Sequence, residues 1–188
     1  CYCAQGNHKK SDALYKKAIE IDEAAADFDK AATTIDFNNL ATHYRDQGLY
    51  EKAEPLYQKA LSYWEKNERS PEIASVLTNL GLMYCQMGQC GVGESFFRKS
   101  LSMELSIYGR DSREYAQTAV NLASNLCMQG KCEEAEPFFE EGIRKLGYQI
   151  GPRPELADAL ELYLEYLEKT HQETKKIEKV SKSIDNLR

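Results

Sequence analysis

The chain has 188 residues, a formal net charge of −6 and a charged fraction of 29%. This mildly acidic composition, without a stripe of Lys and Arg, argues against binding to nucleic acid, because phosphate backbones attract clustered positive charge. No run is apolar enough to cross a bilayer, which takes about 20 consecutive, mainly apolar residues.

Glycines recur along the chain at a nearly constant interval, at Gly6, Gly48, Gly88 and Gly130. An interval of about 40 residues is typical of solenoid proteins, in which similar units stack along one axis. Aligned on these glycines, the three complete units are NNLATHYRDQGLYEKAEPLYQKAL (38–61), TNLGLMYCQMGQCGVGESFFRKSL (78–101) and VNLASNLCMQGKCEEAEPFFEEGI (120–143).

Each unit has the pattern of two helices packed as a hairpin. Leu40 and Tyr44 lie at helical spacing before Gly48, and their equivalents do so in the other units, which gives an apolar stripe. The glycine follows the first helix, where a left-handed residue ends it. A single hairpin cannot bury such a stripe alone, so neighbouring hairpins must stack on one another.

The two ends of the chain continue the same register. Residues 6–21 match a second helix, and residues 154–169 match a first helix in which Thr170 replaces the glycine. The last segment is polar, as expected of a terminal cap, so we expect a single all-α solenoid of about nine helices. Its predicted units are a partial repeat over 1–34, repeats over 35–73, 74–115 and 116–155, and a degenerate capping repeat over 156–188.

The units resemble the tetratricopeptide repeat family in its kinesin-light-chain-like form. The resemblance is carried by the phrases NNLA, TNLG and VNLA, by EKAEPLYQKAL and EEAEPFF, and by the linkers SPEIA, GRDSREYA and GPRPELA. It covers nearly the whole chain. It implies a right-handed superhelical solenoid of helix-turn-helix hairpins and the role of a non-catalytic scaffold that binds other proteins.

In this family the first helices line a concave groove, so the resemblance implies a partner-binding site there. The candidate groove residues by register are Asn38, Asn39, Thr42, Arg45, Ser75, Thr78, Asn79, Leu82, Gln117, Asn121 and Ser124. An amide both donates and accepts, so the in-register asparagines suit an extended peptide backbone; equally, they suit ties within the repeats. We expect the groove to be polar and nearly uncharged, with Arg45 as its main cation.

Four of the six cysteines occupy matching repeat positions. Cys85 and Cys127 precede the glycine of their units, and Cys90 and Cys132 follow it, so each pair brackets a hairpin turn. This recurrence predicts two disulfides. Buried thiols are the first alternative, and a shared metal site is the second, although the spacing is not that of a zinc finger. We expect no metal ion and no cofactor.

The chain begins with Cys1, the residue that carries the acyl chains in bacterial lipoproteins. Together with disulfides, which form in oxidising compartments, it predicts lipidation of Cys1. The chain would then be a lipid-anchored, extracytoplasmic subunit of a membrane-associated assembly. The alternative is a fragment of a larger cytoplasmic regulator that binds peptide segments of its partner.

Residues of catalytic type do not form a recognisable arrangement. The histidines His8, His43 and His171 lie in separate units at unrelated positions. The sequence contains neither HExxH nor a phosphate-binding loop with its Lys-Ser/Thr ending. We therefore expect protein partners and neither enzyme activity nor a small-molecule substrate.

Overall fold

The structure is a computed structural model that describes residues 8–24, 29–64, 68–147, 154–169 and 174–185. These residues form nine α-helices and no strand. The helices are α1 (His8–Ala24), α2 (Lys30–Asp46), α3 (Tyr50–Ser62), α4 (Pro71–Gln86), α5 (Cys90–Ile107), α6 (Arg113–Met128), α7 (Cys132–Gly147), α8 (Pro154–Lys169) and α9 (Thr174–Asp185). The all-α solenoid expected from the sequence is therefore confirmed.

Polar caps fix the starts of two central helices. The Ser70 hydroxyl accepts a hydrogen bond from the backbone N–H of Ile73 (3.1 Å), and Ser112 accepts one from Tyr115 (3.2 Å). These bonds satisfy N–H groups that a helix leaves without internal partners. The caps follow directly from the sequence, since each serine precedes the apolar stripe of its helix.

Glycines in the left-handed conformation end the first helix of three hairpins, with φ of 72° at Gly48 and 76° at both Gly88 and Gly130. The residue after each glycine donates its N–H to a carbonyl in the last turn: Leu49 to Tyr44 (2.9 Å), Gln89 to Tyr84 (2.8 Å) and Lys131 to Leu126 (2.9 Å). This is the Schellman closure, which favours glycine because a Cβ is strained at positive φ. The same local geometry therefore turns the chain back three times.

Helices pack as hairpins in the pairs α2–α3, α4–α5, α6–α7 and α8–α9. The helices α2, α4, α6 and α8, called here the first helices, also contact each other in succession. Among the described residues, the second helices α3, α5 and α7 make no comparable contacts with one another. The first helices thus lie on the inner side of the stack, where a groove forms.

Small residues let the two helices of a hairpin approach closely. A Cβ on Gly93 would lie 2.8 Å from the carbonyl oxygen of Gly81, and one on Gly81 would lie 2.8 Å from the ring of Phe97. Ala53 and Ala135, the equivalents of Gly93, are fully buried. These contacts fix the distance between α4 and α5, and with it the positions of the groove side chains.

The predicted unit boundaries, after residues 34, 73, 115 and 155, fall shortly after the starts of first helices. The caps explain this offset, because Ser70 and Ser112 begin their helices before the aligned asparagine motifs. At the other end of one hairpin, the Trp64 indole N–H donates to the hydroxyl of Thr34 (2.7 Å). Trp64 thereby joins the end of α3 to the first turns of α2.

Candidate partner-binding groove

Three of the predicted groove residues form one network between α2 and α4. The Arg45 guanidinium donates through Nη1 to Asn79 Oδ1, and Asn79 Nδ2 donates to Asn38 Oδ1, both at 2.9 Å. Arg45 also pairs with Asp46 (2.8 Å). Both polar ends of the Asn79 amide are therefore used to join neighbouring repeats. Of the two roles considered for Asn79, the structure supports the internal tie.

A recess of about 420 Å³ opens between α2, α4 and α6 and receives the end of α5. Four predicted groove residues line it: Ser75, Thr78, Asn79 and Gln117. Ser75 is exposed, and Gln117 holds the equivalent position one repeat later. The recess thus lies among residues that the sequence predicts to line a partner-binding groove.

Three carboxylates line the same recess: Glu72, Glu104 and Glu114. None of its described lining residues is Lys, Arg or His. The prediction of a nearly uncharged groove is therefore wrong at this place, which we call the acidic recess. Tyr108 also lines the acidic recess, and its pKa is raised by burial and by all three carboxylates. The three carboxylates are therefore close enough to act on the same side chain.

Glu104 is the buried member of this set, with 4% of its surface exposed. Its Oε1 accepts a hydrogen bond from the Thr118 hydroxyl (3.0 Å) and lies 3.3 Å from the Ser100 hydroxyl. Its Oε2 is buried without a hydrogen-bond partner, and so is Oε1 of Gln117. Burial raises the pKa of Glu104 to about 7, because the charged form loses its hydration.

The remaining predicted groove residues have different surroundings. Asn39 is exposed and Asn121 half-buried, and both stay candidates for contact with a partner. The Thr42 hydroxyl hydrogen-bonds the Tyr57 hydroxyl (3.0 Å), which ties α2 to α3. Leu82 is half-buried against the apolar core of the following units. Thr42 and Leu82 therefore contribute to packing between helices.

Ser124 lines a second recess of about 330 Å³ between α6, α7 and α8. Its other walls include Met128, Phe139, Leu162 and Tyr166. Among its described lining residues, Glu165 supplies one carboxylate, against three in the acidic recess. The groove thus changes in character along the stack, from three carboxylates between α2, α4 and α6 to one carboxylate and two aromatic rings beside α8.

No bond joins the sulfurs of the described cysteines Cys85, Cys90, Cys127 and Cys132. Cys85 Sγ lies 3.5 Å from Cys90 Sγ, well beyond the disulfide bond length of about 2.0 Å, and 3.2 Å from Met128 Sδ. Burial, with Cys90 adding to it, raises the pKa of the Cys85 thiol to about 11. The glycine closure forms the turn without a covalent link, and the two predicted disulfides stay a prediction.

Cys1, the predicted lipidation site, lies outside the described residues. Within the described ranges, no helix combines the length and apolarity needed to cross a membrane. Over the same ranges, no group of three or more His, Cys, Asp or Glu side chains is placed to hold a metal ion.

The carboxylates Glu72, Glu104 and Glu114 are not among the residues predicted from the sequence, although the sequence carries a signal for one of them. Counted from the glycine of each unit, Glu104 has the same register as Trp64 and Leu146. Leu146 is buried, and Trp64 packs within its hairpin. An acidic residue where the adjacent units have large apolar ones could have been identified from the alignment alone.

Comparison with known proteins supports this architecture. The sequence profile described as tetratricopeptide repeat matches residues 1–66, 31–101 and 72–145. No curated protein sequence matches the chain at a significant level.

Solved structures extend the likeness to nearly the whole chain. BtubC (BKLC) from P. vanneervenii superposes with a TM-score of 0.82 over 96% of this chain and 73% of its own, at 18% identity. Two crystal structures of a Podosopora anserina protein described as a kinesin light chain with nearly identical TPR-like repeats, one of them a variant, give TM-scores of 0.78 and 0.75. Both are 13% identical and cover 99% of this chain and 89% of theirs. At these identities the likeness to solved structures concerns the fold alone. The family profile, in contrast, matches most of the sequence. The chain belongs to the tetratricopeptide repeat family.

Proposed function

We propose that this chain is a non-catalytic scaffold that binds an extended segment of a partner protein in the groove between its first helices. The observation that carries the proposal is the acidic recess, which spans three successive first helices and is lined by Ser75, Thr78, Asn79 and Gln117. Buried acceptors without partners line this recess. A bound segment would supply the donors they lack.

Tetratricopeptide repeats generally bind protein partners, and the repeat profile matches three overlapping stretches of this chain. An extended backbone presents alternating donors and acceptors, which match the mixed amide and hydroxyl groups on α2, α4 and α6. The tie through Asn79 keeps α2 and α4 in a fixed relation. A groove that is already ordered loses less conformational entropy when it binds.

Peptide selection on the purified chain tests this proposal. A displayed library of random twelve-residue peptides is selected against the wild type, and the recovered peptides are titrated against Ser75→Phe. Ser75 is exposed and lines the acidic recess, so a phenyl ring there blocks the groove without entering the core. The matched control is Ser95→Phe, at an exposed position on the second helix α5.

Peptides that bind the wild type and the Ser95 variant, but bind the Ser75 variant at least about tenfold more weakly, support the groove. Equal binding to both variants would place the site elsewhere and contradict the proposal. So would a library that yields no binder.

The finer predictions concern where the scaffold works. Acylation of Cys1 and an extracytoplasmic, membrane-associated assembly stay predictions, as does the alternative of a cytoplasmic regulator. The intact mass of protein from its native source, alkylated with and without prior reduction, measures acylation and disulfides together. Unmodified Cys1 and immediately alkylated thiols would rule out the anchored, oxidised form.

A further inference from the structure

The chemical character of the acidic recess is one-sided. It offers the carboxylates of Glu72, Glu104 and Glu114 and the amide oxygen of Gln117. Among the residues that the structure describes, its lining includes no cationic side chain. A neutral peptide segment would leave these negative charges uncompensated, whereas a cation would be attracted by all of them.

Hydrogen-bond donors within the protein do not meet the needs of Glu104. The Ser100 hydroxyl has a single proton and lies closer to the Ala74 carbonyl oxygen (2.8 Å) than to Glu104 (3.3 Å). Thr118 is then the steady donor to Oε1, while Oε2 has no partner. An ionised carboxylate has about four acceptor sites, so most of those on Glu104 are unused.

The repeat itself shows that a carboxylate is not required for packing at this position. Leu146 holds the equivalent place one repeat later and is 2% exposed, so a leucine fits the same local geometry. A buried carboxylate is unfavourable for stability unless it is paired with a cation or well hydrogen-bonded. Glu104 therefore has a property that folding does not explain.

We propose that the acidic recess binds the side chain of a lysine or arginine in the partner segment, with Glu104 Oε2 and Gln117 Oε1 as buried acceptors. This proposal rests on the groove function proposed above and specifies one feature of the partner. Glu72 and Glu114, in the first turns of α4 and α6, attract the incoming cation at the mouth. An ammonium or guanidinium group carries only donors, which complements a lining of unused acceptors.

A metal ion is a poorer occupant than a basic side chain. Calcium takes six to eight oxygen ligands within about 2.6 Å, which requires carboxylates that converge on one point. Among the described residues, no group of three carboxylates is close enough for that. A side chain several atoms long can instead reach the buried acceptors while its backbone stays in the groove.

The test uses the peptides whose binding is lost in Ser75→Phe. They are aligned, and a basic residue shared at one position is replaced by glutamine in the peptide. Each peptide is then titrated against wild type and Glu104→Leu, the variant that copies Leu146. Glu51→Gln is the control, because Glu51 is an exposed carboxylate on α3 that does not line the recess.

We expect the lysine or arginine peptide to bind wild type roughly 30-fold or more tightly than its glutamine form, as for a desolvated charge pair. The Glu104→Leu variant should lose this preference, and the control should keep it. Far-ultraviolet circular dichroism checks that each variant folds. Should Glu104→Leu not fold, Glu114→Gln at an exposed position must reduce the preference several-fold.

Affinity should also increase from pH 6 to pH 8 in wild type but not in Glu104→Leu, because the cation favours the ionised carboxylate. The other described titratable groups near Glu104 are Glu72 on α4, Tyr108 at the end of α5, and Glu114 and Tyr115 on α6. All four remain in the variant, so a pH effect that persists there would not come from Glu104.

The two proposals fail in distinguishable ways. If peptides blocked by Ser75→Phe share no basic residue, or if their preference persists in Glu104→Leu, the lysine or arginine site is wrong while the groove stands. If no peptide is sensitive to Ser75→Phe, both proposals are wrong.

Discussion

Replacing Glu104 with glutamine should change stability in a pH-dependent way. Burial raises the pKa of Glu104 to about 7 in the folded protein, with Glu114 adding to the shift, from an ordinary value of 4.5. Between these two pH values the folded protein keeps a proton that the unfolded chain releases. The free energy of unfolding therefore falls as pH rises through this window.

The size of the effect follows from the two pKa values. One pKa unit corresponds to about 1.4 kcal/mol, so ionised Glu104 lowers stability by up to about 3 kcal/mol at pH 8. Glutamine carries no charge, and its side-chain oxygen still accepts from Thr118. We expect Glu104→Gln to match wild type near pH 4.5 and to exceed it by up to about 3 kcal/mol at pH 8.

Urea unfolding followed by circular dichroism at pH 4.5, 6, 7 and 8 measures this difference. Glu51→Gln removes the same charge from an exposed position and should track wild type to within about 0.5 kcal/mol at each pH. A stability difference between Glu104→Gln and wild type that stays constant across the range would refute the reasoning. It would mean that Glu104 ionises in the fold as easily as in the unfolded chain.

Three further outcomes follow from the packing and charges. Gly93→Ala should destabilise the protein by about 1–3 kcal/mol, because the new Cβ meets a backbone carbonyl of α4, whereas Gly91→Ala on the open side of α5 should stabilise it by up to about 1 kcal/mol. Thermal unfolding compares the two variants, and stability changes of the same sign would contradict the packing. Iodoacetamide should modify Cys85 slowly at pH 8 and faster towards pH 11, because only the thiolate reacts. Mass spectrometry of the Cys85 peptide measures the rate in wild type and in a Cys90→Ser variant, and fast modification at pH 8 in wild type would contradict the raised pKa. Hydrogen bonds from Lys131 and Arg98 hold the pKa of Glu94 at about 2, so Glu94→Gln should lower stability by up to about 1 kcal/mol at pH 7 and by much less near pH 2. A loss that is unchanged at pH 2 would count against the ion pair.

The sequence predicts the hairpins well because their geometry is local. A glycine at positive φ ends the first helix of three hairpins, and the residue after it donates its N–H to a carbonyl in the last turn of that helix. Residues within a few positions of one another therefore determine where the helices end. Stacking then follows from apolar stripes that one hairpin cannot bury.

The roles of the groove asparagines depend on contacts between units and could not be assigned in the same way. Asn79 bonds both Arg45 and Asn38, residues of the preceding repeat. Which side chains meet across that junction depends on how far each hairpin rotates relative to the last. That rotation depends on contacts between units: a Cβ on Gly93 would lie 3.0 Å from Nδ2 of Asn125 in the following repeat, a closeness that is not apparent from residue types. Asn39, with the same register as Asn79, is exposed instead.

The repeat also separates the positions that build the solenoid from those that distinguish one partner from another. A residue type that recurs in every unit, such as the glycine at Gly48 and Gly88, must meet the same geometric need each time, and it therefore supports the fold. A partner, in contrast, contacts the groove once and has no reason to follow the repeat. Selectivity is then expected where one unit departs from its neighbours at a position facing the groove. Glu104 is such a departure, because its equivalent Leu146 is apolar and equally buried, and because its unused oxygen adjoins a recess whose described lining residues include no cation.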